Sequence, residues 1–119
     1  MKPGETGVTR IIHAAGYSWQ GLKAAYRYEA AFRQELLLAL VLIPLAMYFG
    51  QTGLEKAVLI ASVFIVLIAE ILNSAIEALV DRFEGDINEY FGRAKDMGSA
   101  AVFLALMNMG ICWLFILFL

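Results

Sequence analysis

Charged positions fall in blocks separated by long uncharged runs. Nineteen uncharged residues, Leu36 to Leu54, lie between Glu35 and Glu55; thirteen more run from Ala57 to Ala69, and twenty-three from Met97 to Leu119. A membrane helix needs about 20 predominantly apolar residues. The first and third runs satisfy this alone. The second does so only by continuing through Glu70, Asn73 and Glu77 to Val80, which sets polar groups inside a span. Pro44 lies in the first span, where proline is tolerated better than in soluble helices. The pattern predicts spans over 30–50, 55–80 and 96–119. Upstream, Ile11, Ile12, Ala15, Trp19, Leu22 and Tyr26 recur near helical spacing, while Arg10, Ser18, Lys23 and Arg27 fall largely elsewhere around the helix. This predicts an amphipathic helix over about 7–28 lying in the membrane interface, weakened by Gly16 and Gly21. The first thirty residues have no continuous apolar core, so they are expected to stay in the mature chain. The expected fold class is an all-α membrane protein, a surface helix plus three transmembrane helices forming one domain over 1–119.

Composition narrows the function classes. Apolar residues make up 61% and charged residues 17% of the chain, against roughly 45–50% and about 25% in soluble domains. A soluble enzyme and a disordered tail are excluded, and nine Lys+Arg against eleven Asp+Glu argue against a nucleic-acid partner. The single cysteine, Cys112, forms no intramolecular disulfide, and with only His13 beside it a Cys/His zinc site is excluded. Five Lys/Arg lie in 1–35, three in 81–96 and only Lys56 in 50–56. The positive-inside bias puts the N-terminus and the 81–96 segment in the cytoplasm and the C-terminus outside, as in a bacterial inner-membrane protein.

Along the second span, Glu77 and Asp81 fall within roughly 20° of the line through Glu70, with Asn73 and Ser74 flanking it. Glu70 lies roughly 20 Å into a hydrocarbon core about 30 Å thick, and Glu77 near its cytoplasmic boundary. An acid at a span centre costs about 2.5–3.5 kcal/mol. Such groups serve either as paired structural glue or, more often, as a pathway or catalytic site. In the following segment, Arg93 and Lys95 suit phosphate oxygens; alternatively they anchor the membrane surface, with Asp96 capping the third span. Gly98, Ser99, Ala100 and Ala101 read as close helix packing. Phosphate-binding loops of soluble nucleotide enzymes are absent, and no serine has a neighbouring His–Asp pair. His13 reads as an interfacial residue, Cys112 as a buried thiol and Trp113 as an aromatic-belt ring.

The run Glu70-Ile71-Leu72-Asn73-Ser74-Ala75-Ile76-Glu77-Ala78-Leu79-Val80-Asp81, followed by Gly92-Arg93-Ala94-Lys95-Asp96-Met97-Gly98-Ser99-Ala100-Ala101, resembles the signature of bacterial integral-membrane diacylglycerol kinases. Thr9-Arg10-Ile11-Ile12, Ala14-Ala15-Gly16-Tyr17-Ser18-Trp19 and Glu29-Ala30-Ala31-Phe32-Arg33-Gln34-Glu35 are similar to the Gram-negative branch. The resemblance covers about residues 7–119. It implies transfer of the γ-phosphate of ATP to the free hydroxyl of sn-1,2-diacylglycerol, giving phosphatidic acid, by a homotrimer with active sites shared between protomers. By position it implies Glu29 and Glu77 as Mg²⁺ ligands and Glu70 as the general base. Arg10, Tyr17, Glu29, Glu77, Asp86, Ile87, Asn88, Lys95 and Asp96 are the implied ATP contacts, with Asn73 and Asp81 in support. The lipid is implied against Ser18, Trp19, Lys23, Ala31, Phe32, Arg33, Gln34, Glu35, Ser99 and, across a neighbouring span, Tyr48 and Trp113, its reacting end near Arg10 and Glu70.

Elementary chemistry agrees with that assignment. Mg²⁺ prefers one or two carboxylates plus phosphates and water. Lys95 and Arg10 can neutralise charge on a transferred phosphoryl group. Three spans cannot wall off such a polar cluster, so neighbouring chains are expected to contribute. Undecaprenol kinase is the alternative within the superfamily, since its polar motifs look alike. An ion-transporter or channel subunit leaves Arg93, Lys95 and the surface helix without a task, and a non-catalytic assembly factor needs none of the carboxylates.

Overall fold

The structure, a computed structural model, describes Gly4, residues 6–83 and residues 89–119. It consists of α1 (Gly7–Tyr28), α2 (Ala30–Phe49), α3 (Gly53–Asp81) and α4 (Glu89–Phe118), with no strand among the described residues. Helices α2, α3 and α4 are each long and apolar enough to cross a membrane. The all-helical, three-span expectation therefore holds. The central element is α3, packed along α4 on one side and α2 on the other, while α1 meets the bundle mainly through α2. At about 1.5 Å per residue, the 29 residues of α3 span roughly 43 Å, more than a hydrocarbon core of about 30 Å. Glu77 is half-buried and Asp81 exposed at the C-terminal end of this helix.

The core is built from small side chains. Phe32, Ala39 and Ala46 are the buried residues of α2, at seven-residue intervals, and Gly98 and Ala105 repeat the interval on α4. Against them α3 sets Leu59, Ser62, Val63, Val66 and Ala69. Val66, Ala69 and Ala105 form the centre, with Val102 and Met109 packed on it. Small residues let membrane helices approach closely where lipid supplies no hydrophobic drive between them. The large residues Leu37, Leu40, Phe64, Phe103 and Phe115 point outwards instead.

Two junctions fix the helix order. Between α2 and α3, the Thr52 hydroxyl accepts from the Glu55 N–H at 3.1 Å, and Glu55 Oε1 accepts from the Gln51 N–H at 3.0 Å. This satisfies donors that a helix start leaves open, a cap contributing about 1 kcal/mol. The Thr-x-x-Glu spacing at 52–55 was a legible signal for it. Gly50 is needed there because a Cβ would stand 2.8 Å from the Ala46 carbonyl oxygen and 2.6 Å from Lys56 Cγ.

Between α1 and α2 the break is a single residue, Glu29, at φ −116° and ψ 106°. Its N–H donates to the Ala25 carbonyl at 3.0 Å. Arg33 then reaches back, Nη1 donating to the carbonyls of Tyr26 at 2.7 Å and Arg27 at 3.1 Å. A cation in the first turn of α2 opposes that helix's dipole, but against the carbonyl end of α1 it is favourable. Bonds from a charged donor of this kind contribute about 1.5–3 kcal/mol.

One expectation is corrected here and another sharpened. Asp96 does not cap the third span, because α4 already begins at Glu89 and carries Asp96 within its helical body. Trp113, expected as an aromatic-belt ring, is tied into the protein: its Nε1–H donates to Ser62 Oγ at 3.1 Å in the α3–α4 seam. Ser62 is 1% exposed and its hydroxyl donates in turn to the Leu59 carbonyl at 2.7 Å. An indole N–H within a span needs an internal acceptor, which a buried serine supplies.

Ser62→Ala and Trp113→Phe are each expected to cost about 0.5–1.5 kcal/mol in unfolding from micelles. Their double-mutant cycle should show coupling of about 0.6 kcal/mol. Strict additivity of the two losses would show that the bond contributes nothing.

Candidate active site

The polar residues of α3 divide between two neighbours. Glu70 is 6% exposed, and the carboxylates of Glu35, Glu77 and Glu29 lie within electrostatic reach of it. These acids come from the first turns of α2, the lower half of α3 and the α1–α2 break. No hydrogen bond from another described residue reaches the Glu70 side chain. Asp81 stands apart from this group. It is the last residue of α3, where an acid opposes the helix dipole, and Lys95 Nζ pairs with it at 3.0 Å. Both side chains are about half exposed, so this ion pair contributes only about 0–1 kcal/mol.

Asn73 connects the acids to α4. Its Nδ2 donates to Glu77 Oε1 at 3.1 Å, orienting that carboxylate. Its Oδ1 is buried without a hydrogen-bond partner among the described residues, and it rests where a Cβ on Gly98 would have to stand. Gly98, expected only as a packing residue, thus makes room for the amide that aims Glu77. Further along α4, the Arg93 guanidinium sits 4.4 Å from the centroid of the Tyr90 ring, and Phe83 stacks on Phe91 at 6.1 Å. These contacts order the polar end of the bundle on either side of residues 84–88. Asp86, Ile87 and Asn88 lie outside the described residues.

Two clefts flank the α1–α2 break. On the acidic side, a cleft of about 360 Å³ is walled by Gly21, Ala24 and Ala25 of α1 and by Ser74, Ala75 and Ala78 of α3, with Glu29 at its edge. Small side chains on both helices keep it open. On the other side, a cleft of about 740 Å³ is lined by Trp19, Lys23, Tyr26, Arg27, Phe32 and Leu36. Lys23 lies 5.9 Å from the Trp19 ring centroid and Arg27 5.3 Å from that of Tyr28. An apolar wall with cations at its rim suits an amphiphile.

Of the expected lipid-facing residues, this second cleft gathers Trp19, Lys23 and Phe32. Glu35 lies with the acids instead, and Arg33 is spent on the α1 carbonyls. Ser18 donates to the Ala14 carbonyl at 2.9 Å. Ala31, Gln34 and Ser99 are exposed. Tyr48 is 79% exposed at the far end of α2, edge-on to Phe49, and Trp113 lies in the α3–α4 seam, so neither lines the cleft. Arg10 and Tyr17 are exposed on the first half of α1 and line neither cleft. Arg10 is eighteen residues from Tyr28, about 27 Å along a helix. One phosphate cannot touch both Arg10 and Glu29 of a single chain.

Whether this donor set suits a divalent cation can be judged from its chemistry. No three His, Cys, Asp or Glu side chains among the described residues converge tightly enough to cage a metal. Mg²⁺ rarely uses such a cage, taking one or two carboxylates and filling its octahedron with phosphate and water. Glu29 caps α2 without a side-chain bond to it, and Glu77 Oε2 is not used by the Asn73 bond. The set fits a hydrated divalent ion that arrives with phosphates.

Residues 16–117 match the family model described as prokaryotic diacylglycerol kinase. The chain is 51% identical over 117 residues to a diacylglycerol kinase of Escherichia coli, covering 98% of this chain and 96% of that one. It is 50% identical over 113 residues to a diacylglycerol kinase of Haemophilus influenzae, with 95% and 96% covered. Against a diacylglycerol kinase of Helicobacter pylori the identity is 39% over 113 residues, with 95% and 88% covered.

Gly98→Ala should destabilise the protein by about 1–3 kcal/mol, because the new methyl displaces the Asn73 amide. In an Asn73→Ala background the same change should cost much less. Equal losses of thermal stability in the two backgrounds would show that Gly98 does not serve Asn73.

Proposed function

The chain belongs to the prokaryotic diacylglycerol kinase family, and we propose that it phosphorylates the free hydroxyl of diacylglycerol in the membrane at the expense of ATP, giving phosphatidic acid and ADP. The observation that carries this reading is the buried Glu70 with three further carboxylates within electrostatic reach, on a chain whose α1–α2 break also borders an amphiphile-sized cleft. The reading places the N-terminus and the site on the cytoplasmic side of the inner membrane, supported by the eight-to-one split of Lys and Arg.

In this mechanism the diacylglycerol lies with its acyl chains against Trp19, Phe32 and Leu36 and its hydroxyl towards Glu70. The hydroxyl oxygen attacks the γ-phosphorus, its proton passes to the Glu70 carboxylate, and the bond from the γ-phosphorus to the β–γ bridging oxygen breaks to release ADP. Glu29 and Glu77 would hold Mg²⁺ together with the phosphates. The ion, when bound, neutralises triphosphate charge, the main demand of phosphoryl transfer. Lys95 leaves Asp81 to meet the transferring phosphoryl group, and its exposure permits that swing. Tyr17, Asp96 and the segment Asp86-Ile87-Asn88 complete the nucleotide contacts. Arg10 comes from a neighbouring chain, because about 27 Å of helix separates it from its own Glu29. A homotrimer with shared sites meets that requirement.

Transfer of labelled phosphate from Mg–ATP to diacylglycerol and to undecaprenol, side by side in mixed micelles, tests the reaction. Diacylglycerol should be the preferred acceptor. Transfer to neither would end the kinase reading, and preference for undecaprenol would change the acceptor. Glu70→Gln should fold at least as well as the parent and lose about 10²–10⁴-fold in turnover with Mg–ATP affinity little changed. Glu77→Gln should abolish transfer through lost metal and nucleotide positioning. A destabilised Glu70→Gln protein turning over at the parental rate would retire Glu70 as the base. Mixing an Arg10→Met chain with a Glu77→Gln chain should restore part of the activity that each lacks. No recovery at any ratio would argue that each site belongs to one chain.

A further inference from the structure

Arg33 belongs by position to the residues implied against the lipid, yet its guanidinium is turned to the backbone of α1. Nη1 donates to the Tyr26 carbonyl at 2.7 Å and the Arg27 carbonyl at 3.1 Å. Its own N–H donates to the Glu29 carbonyl at 3.2 Å, while the Glu29 N–H donates to Ala25 at 3.0 Å. Glu29 is therefore the one extended residue between two helices, and the Arg33 side chain, from the first turn of α2, ties that helix back to the last turn of α1. The Glu29 side chain makes no capping bond that could fix its direction. The angle between α1 and α2 sets where its Cα and Cβ stand, and so which positions its carboxylate can reach. The amphiphile-sized cleft draws its cations from Lys23 and Arg27, and Arg33 is not among its lining residues. A cation in the first turn of α2 opposes that helix's dipole, so its position is favourable only while it serves the carbonyl end of α1.

We infer that Arg33 is a positioning residue for the metal–nucleotide site, acting through Glu29 rather than through contact with the lipid. The inference rests on the proposed role of Glu29 as a metal ligand. Loss of the guanidinium frees the last turn of α1, lets the break at Glu29 open, and moves the carboxylate off the ion.

The test uses the full-length protein in micelles, with Mn²⁺ and a non-hydrolysable ATP analogue read by electron paramagnetic resonance. Arg33→Gln should weaken Mn²⁺–nucleotide binding by about tenfold, the usual scale for losing a group that orients a metal ligand. Arg33→Lys should recover part of it, since an ammonium reaches one of the two carbonyls. In a Glu29→Gln background, Arg33→Gln should add less than about a twofold loss, because both changes act on one contact. Amide exchange at Glu29 should quicken in Arg33→Gln, and the Michaelis constant for diacylglycerol should stay near the parent's. A raised diacylglycerol constant with unchanged Mn²⁺–nucleotide affinity would return Arg33 to the lipid and overturn the inference. Full additivity with Glu29→Gln would overturn it too. If Arg33→Gln fails to fold, Arg33→Lys carries the same comparison. Parental Mn²⁺–nucleotide affinity in Glu29→Gln alone removes the premise, which separates failure of the site reading from failure of the cap.

Discussion

A carboxylate in the middle of a membrane span carries an insertion cost of about 2.5–3.5 kcal/mol, and here Glu70 is buried with Glu29, Glu35 and Glu77 around it. No lysine or arginine of the chain is drawn to it among the described residues: Lys95 pairs with Asp81, Arg33 with the α1 carbonyls, and Arg93 with the Tyr90 ring. Among the described residues, the groups within electrostatic reach of Glu70 are the acids Glu35, Glu77 and Glu29. In the proposed mechanism a divalent ion arriving with its phosphates offsets them. Much of the remaining architecture follows from that demand. Small residues let α2 and α4 close on α3, the length of α3 sets Glu77 two turns beyond Glu70, and the one-residue break places Glu29 at the same cluster.

On the proposed mechanism the same arrangement keeps the two substrates apart. The small-residue cleft with Glu29 opens on the acidic side of the α1–α2 break, whereas the aromatic cleft with Lys23 and Arg27 opens on the other. A nucleotide comes from water and a lipid from the bilayer, so their approaches need not cross. Glu70 lies within α3, between Ala69 of the packed core and Glu77 nearer the helix end, which suits the base proposed for a hydroxyl that stays in the membrane.

Much of this was legible in the amino-acid pattern because membranes punish charge so heavily. The charge-free run between Glu35 and Glu55 marks α2 and its turn, and the departure from that rule at Glu70 and Glu77 marks the site. Side-chain commitments were not legible. Arg33 and a lipid-facing arginine look alike in sequence, and only the one-residue break at Glu29 brings the α1 carbonyls within its reach. Trp113 pairs with Ser62 fifty-one residues away, a relation that no local spacing reveals. Asp96 carried the composition of a cap, but the helix extends upstream to Glu89 because 89–96 can be helical in water beyond the bilayer. Gly98 looked like generic small-residue packing until the Asn73 amide was found filling its missing side chain.

The central claim is that the acid cluster is completed by a divalent ion held together with nucleotide. Thermal unfolding of the intact protein, followed against Mg²⁺ concentration with and without a non-hydrolysable ATP analogue, tests it most directly, since a ligand that binds only the folded state raises the midpoint. Mg²⁺ and the analogue together should raise the midpoint of the parent well beyond either alone, and the joint effect should vanish in Glu77→Gln. An equal rise in both proteins, or no joint effect in the parent, would contradict the account.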